Sequence, residues 1–182
     1  MMKTFTKMMT LGVLLLFACT MQLSAQNCSF SKDETDKFTN NRVLHTKPVN
    51  LIVEKIKVKD TYTVEKLEMQ VKYENNRFLL SLSYHFALGK SMANTSSKLI
   101  LLLSDGSKIE IPCIQDIPSI EYKKNGVAIF SYNFEMSMDD LMTLSKADIT
   151  DVRMAAFINP IEFSVSNNIK TSELFNCIKN NK

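Results

Sequence analysis

Between residues 77 and 86 the chain alternates without a break: Phe78, Leu80, Leu82, Tyr84 and Phe86 share one side, and Leu79, Ser81, Ser83 and His85 the other. Successive side chains of a strand point to opposite faces, so this two-residue period describes a half-buried β-strand and not a helix. Residues 62–73 also read as a strand, and Glu74-Asn75-Asn76 between the two supplies turn chemistry, which makes the pair a β-hairpin. One face of that hairpin is built to be covered.

The same reading extends in both directions. From Val49 to Val58 apolar and charged residues alternate as in a strand. Residues 98–103 form an apolar run ended by Ser104-Asp105-Gly106, and Asp-Gly is a strong hairpin signal whose partner is 108–114. Residues 119–123 and 127–135 flank a second such turn, Lys124-Asn125-Gly126. An antiparallel meander results, and the absence of βαβ crossovers here argues against a doubly wound nucleotide-binding sheet. Ser137 is placed to cap a short helix over 138–146, with Asp139 and Asp140 in the first turn where acids favour the helix dipole. Residues 148–157 and 161–165 alternate as strands around Asn159-Pro160. A last helix over 168–179 gathers Ile169, Leu174, Phe175 and Ile178. The expected fold is α+β, mainly β: an antiparallel sheet or β-sandwich with a short helix and a C-terminal helix.

Residues 1–25 have the layout of a secretory signal: Lys3 and Lys7, an apolar stretch over 11–18, then Ser24-Ala25. That stretch falls well short of the about 18–20 residues that span a bilayer. Cleavage after Ala25 leaves Gln26 as the new N-terminus. The alternative is a lipoprotein: Leu16-Phe17-Ala18-Cys19 resembles the box in which the cysteine is lipidated and becomes the first residue, although Phe17 is bulky for it. Residues 26–46 are polar and read as a leader, which leaves 47–182 as a single β-rich domain. Of 22 basic residues, Lys3 and Lys7 go with the signal, so 20 stand against 19 acids. A charge so close to zero gives no electrostatic case for nucleic acid.

Three cysteines follow the signal: Cys28, Cys113 and Cys177. An exported chain is exposed to oxidation, and three cysteines allow at most one internal disulfide. Domain termini are often close together, which favours Cys28 with Cys177. Cys113 lies in an apolar strand-like run, where a thiol behaves as a small hydrophobe rather than a nucleophile.

The chain resembles a group of small, exported, uncharacterised β-rich proteins of Gram-negative gut bacteria. The likeness rests on Cys28 followed by Asp36-Lys37-Phe38-Thr39, with Asn40 where the group carries Gly; on the apolar run before Ser104-Asp105-Gly106; on the segment from Ser137 to Ile149 leading into Asp151-Val152-Arg153; and on Leu174-Phe175-Asn176-Cys177-Ile178. The resemblance implies an envelope or secreted β-rich domain with a terminal helix, and it brings no catalytic residues.

Candidate chemistry is sparse. His45 and His85 have no Cys or His at metal-ligand spacing, and a strand histidine on the polar face is the simpler reading. Asp33, Glu34 and Asp36 lack the arrangement of a calcium loop. Asp139 and Asp140 diverge on a helix and suit capping better than paired acid–base work. Met136, Met138, Met142 and Met154 fit a core better than a partner surface. No glycine-rich phosphate loop or nucleophile elbow occurs, so no catalytic, cofactor or metal residue is assigned. The expected function is a non-enzymatic binding or envelope-associated domain, with the polar loop 87–97 as its best surface. The alternatives are a small periplasmic hydrolase that brings His85 beside an acid, and a structural subunit of an envelope assembly.

The mass of the exported protein is expected to start at Gln26, with one alkylatable thiol before reduction and three after. A mass starting at Cys19 with added acyl chains would replace this with a membrane-anchored lipoprotein.

Overall fold

The computed structural model of the chain describes residues 28–58, 61–87, 98–114, 119–122, 127–154 and 160–182. The signal, Cys19, residues 88–97 of the polar loop and the turns at 124–126 and Asn159 lie outside them. The strands are β1 (Phe30–Thr35), β2 (Arg42–Thr46), β3 (Val49–Val58), β4 (Thr61–Glu74), β5 (Arg77–Ala87), β6 (Lys98–Leu103), β7 (Lys108–Pro112), β8 (Ser119–Tyr122) and β9 (Val127–Met136). Helix α1 (Met138–Leu144), β10 (Ile149–Met154), β11 (Ile161–Ser164) and helix α2 (Thr171–Asn181) complete the order. The protein is mainly β, with two antiparallel sheets, one short helix and one C-terminal helix. The larger sheet runs β1-β2-β4-β5-β9-β8 with β3 also on β4, and the smaller runs β11-β10-β6-β7.

The hairpin expected at the centre is β4–β5. Asn75 and Asn76 take φ of 51° and 59°, the left-handed pair that a two-residue turn between twisted strands requires and that Asn tolerates. Leu67, Met69 and Val71 of β4 then stand beside Tyr84, Leu82 and Leu80 of β5. Those three in turn meet Phe130, Tyr132 and Phe134 of β9. All nine are buried in one core. The small sheet adds Leu99, Leu101, Ile111, Val152 and Met154 to the same core, and Tyr84 on β5 meets Phe163 on β11 with ring centroids 5.3 Å apart. The two sheets thus share one interior, with Phe175 and Ile178 of α2 reaching into it.

Residues 30–46, expected as a polar leader, form β1 and β2 of the larger sheet. Their hydrophobic signal is weak: of the eleven strand residues 30–35 and 42–46, only Leu44 and Thr46 are fully buried. Polar contacts hold the pair instead: Arg42 lies 3.1 Å from Asp33, and the Ser31 hydroxyl donates to the Thr46 carbonyl at 2.9 Å. In the connecting turn Asp36 accepts from the N–H groups of Phe38 and Thr39 at 2.9 and 2.7 Å, which hold its carboxyl below the usual carboxylate range. Asn40 closes that turn at a φ of 58°, so an asparagine serves where a glycine would be at ease.

β2 and β3 lie end to end along β4, with Leu44 opposite Tyr73 and Val49 opposite Met69. Pro48 falls at the join, where a residue without an N–H adds no donor to the ladder. Beside the join the Thr46 hydroxyl accepts the Val71 N–H at 3.0 Å, keeping that buried donor satisfied.

Ser137 caps α1 in a reciprocal box with Asp140, so the acids at its start do capping work. The helix stops at Leu144, two residues short of the expected end. α2 starts at Thr171 rather than 168, after a turn in which the Ile169 N–H meets the Ser166 carbonyl at 3.0 Å. Its first turn is capped from outside: Asp148 accepts from the N–H and hydroxyl of Ser172 at 2.9 and 2.7 Å. Met136 and Met154 are core residues, whereas Met138 and Met142 are exposed, so the methionines divide between the two readings.

Cys28 and Cys177 form a disulfide, with Cα atoms 5.5 Å apart and a sequence separation of 149. It ties the start of β1 to α2 and closes almost the whole domain into one loop. Replacing both cysteines with serine is expected to lower unfolding stability by about 2–4 kcal/mol in a urea titration. An unchanged midpoint would show that the sheets hold both termini unaided.

Candidate functional site

Three places on the molecule can be weighed for chemistry. The first is the outward face of the large sheet. There Glu68 Oε2 lies 2.8 Å from His85 Nε2, and Lys66 Nζ donates to Glu68 Oε1 at 2.7 Å. The registers Lys66↔His85 and Glu68↔Ser83 bring these side chains together across β4 and β5. Ser83 itself is paired with Ser131 of β9, hydroxyl to hydroxyl at 3.0 Å. His85 is less solvated than its polar-face position suggests, with a side chain 14% exposed, because a central strand is flanked by neighbours on both sides. Burial pushes the Glu68 carboxyl up, but Lys66 by hydrogen bond and charge, and then His85, outweigh it and leave the carboxyl below its ordinary value.

A histidine beside a carboxylate is what the hydrolase alternative asked for, yet it also asked for a concave pocket. Neither of the two clefts described below is lined by His85 or Glu68. His45 sits apart on β2, 3.2 Å from Glu74. Cys113 is half-buried and donates its thiol to the Asn133 carbonyl at 3.4 Å; it pairs as an isolated bridge with Phe134 rather than extending β7. Asp33 and Glu34 are engaged by Arg42 and Lys32, and Asp36 by its own turn, so the acids of the first hairpin do not converge. Among the described residues no group of three or more His, Cys, Asp or Glu is placed to hold a metal ion.

The second place is a shallow cleft of about 480 Å³ on the outward face of the small sheet, with Ile100 and Leu102 in its floor. Its charges are engaged with one another: Arg153 with Glu162 at 2.6 Å, and Lys108 with Glu110 at 2.6 Å. Hydrogen bonds from Lys108 and Lys98 hold the Glu110 carboxyl down at about 2. The Ser164 hydroxyl donates to Asp151 at 2.7 Å. These exposed pairs engage the described charged side chains around the apolar floor.

The third is a cleft of about 460 Å³ between one margin of each sheet, lined by residues 50–54 of β3, by Ser164 at the end of β11 and by Ser166, Asn168 and Ile169 after it. Consecutive strand residues point to opposite faces, so a cleft lined by five in a row looks at the strand's edge. β3 pairs with β4 on one side, and no other strand pairs with it among the described residues. The Leu51 carbonyl meets only a long approach, 3.5 Å, from the Ser166 N–H.

Beneath this margin lies Glu65, a carboxylate 8% exposed that accepts from the Tyr84 hydroxyl at 3.1 Å. Burial, and then the negative charge of Glu65, push the Tyr84 phenol far above its ordinary value. Reading the residues for chemistry missed Glu65, although its parity with Leu67 and Met69 places it on the inward face. Tyr132 is likewise raised by burial, to about 12.

No helix of the described residues is long and apolar enough to cross a membrane. Comparison with protein family models, with curated proteins and with solved structures returns no match.

A carboxyl held below 4.5 favours the folded state above that pH, and the gain is lost as pH falls through the folded value. Glu68→Gln is therefore expected to cost about 0.5–1 kcal/mol at pH 7 and less at pH 3, read from urea midpoints of both proteins. An equal cost at both pH values would show that the carboxylate does not stabilise through its charge.

Proposed function

We propose that this chain is an exported, non-enzymatic domain that works by binding another component of the cell envelope or its surroundings. The observation that carries the reading is the cleft along β3: its described walls are a strand edge, apolar side chains, hydroxyls, an amide and the carboxylate of Glu54, a set suited to holding a ligand. The disulfide between Cys28 and Cys177 supports an oxidising compartment. A strand edge that no other described strand pairs also suits a structural subunit of an envelope assembly, and that role is itself a form of binding.

The hydrolase reading draws on one specific observation, the contact of His85 with Glu68. Its weakness is position, since catalysis needs the substrate held within hydrogen-bond reach of the base.

The two readings separate experimentally. The exported protein is expected to sediment saturably with isolated envelopes and to leave chromogenic acyl, phosphoryl and glycosyl esters at their buffer rates. His85→Gln should then sediment as the wild type does. Turnover of any of these esters that disappears in His85→Gln would overturn the proposal in favour of the hydrolase.

A further inference from the structure

We propose that the cleft between β3 and β11 receives an extended peptide segment of a partner protein, which pairs with β3 as an added strand and places a basic side chain at Glu54. This rests on the reading of the protein as a binding domain and specifies its site and partner.

Backbone direction can be followed residue by residue. The Val71 N–H points toward the β2–β3 side, where Thr46 accepts it. Peptide groups alternate along a strand, so Leu67 and Glu65 of β4 turn the same way. Their partners are Ile52 and Glu54, which therefore spend their N–H and C=O groups on β4. Val53, between them, turns both of its groups into the cleft, and the Leu51 carbonyl is there as well, as its long contact with Ser166 shows. These are the groups with which a sheet edge binds an extended chain.

The position for such a strand already exists in the larger sheet. β1 lies beside β2 and stops at Phe30, with the Ser29 carbonyl accepting the Lys47 N–H at 2.9 Å. Because β2 and β3 are end to end along β4, the course of β1 continues beside β3 and into the cleft. An incoming strand would prolong an established pairing rather than found a new layer.

Charge selects the partner. Among the described residues Glu54 is the one charged residue lining this cleft, and it lies across from Glu65 of β4. Opposite charges beside one another on neighbouring strands are stabilising, so a Lys or Arg of the incoming strand gains a contact at Glu54. Across the cleft, Ser166 and Asn168, joined by a 2.7 Å hydrogen bond, offer polar groups to the strand's other margin.

The probe is a blocked seven-residue peptide of alternating Thr and Val with a central Lys, titrated into the folded protein by calorimetry and by amide NMR. The expected result is saturable binding with the Val53 amide among the shifted signals. Methylating the peptide nitrogens that face β3 should weaken binding about tenfold or more, since the backbone bonds carry the affinity. Glu in place of the central Lys should weaken it severalfold, and Glu54→Lys should reverse that preference. Val53→Pro removes the N–H aimed into the cleft while sparing the pairing with β4, so it should abolish binding. If Val53→Pro perturbs the fold, the charge reversal in Glu54→Lys still decides the matter. Equal binding by the methylated peptide, or a preference unmoved by Glu54→Lys, would overturn the proposal. So would concentration-dependent self-association that Val53→Pro abolishes, because the cleft would then belong to a second copy of the chain. Failure of the peptide alongside intact envelope binding would refute strand addition and leave the wider reading standing.

Discussion

The fold depends on the inward row of β5. Leu80, Leu82 and Tyr84 are enclosed by Leu67, Met69 and Val71 on one side and by Phe130, Tyr132 and Phe134 on the other. Each fully buried side chain of this kind contributes about 1.5–3 kcal/mol. The two-residue period makes the arrangement all-or-nothing, because a slip of one residue would turn the whole row to the opposite face. The turn at Asn75 and Asn76 protects the register, and the small sheet docks onto the face so created through contacts such as Tyr84 with Phe163.

The same alternation decides where chemistry is available. On the outward face of the large sheet, polar groups are spent on neighbours along and across the strands: Glu68 on Lys66 and His85, Ser83 on Ser131. The small sheet does the same with Arg153 and Glu162. The ladder itself ends at its margins, and β3 is the margin where a cleft coincides with an edge that no other described strand pairs. The disulfide and Pro48 bear on this place too, since the first holds β1 at the N-terminal end and the second marks where β2 gives way to β3.

Much of the architecture was legible because single residues announced it. Asn75-Asn76 and Ser104-Asp105-Gly106 mark their hairpins, Ser137 with Asp140 marks the start of α1, and Cys28 and Cys177 were paired from their nearness to the domain's ends. β1 and β2 were not legible: they carry Lys32, Asp33 and Glu34 where a buried strand would be apolar, and they are held by ion pairs and by neighbours distant in sequence. Helix ends were misplaced because Asp148 caps α2 from outside the helix, a contact no local pattern reveals. The cleft itself joins residues 50–54 to residues 164–169, so it exists only once two sheets have been set against each other. Glu65 was within reach, since its parity with Leu67 assigns it to the core, where an acid is unusual.

The central claim is that β3 bonds to β4 through Ile52 and Glu54 and turns Val53 toward an open cleft. Native-state hydrogen exchange, resolved to single amides in the isolated protein, tests it most directly. The account predicts alternating protection along β3, with the Ile52 and Glu54 amides slow and the Val53 amide exchanging far faster between them. Equal and strong protection of all three would contradict it, because the edge of β3 would then already be covered.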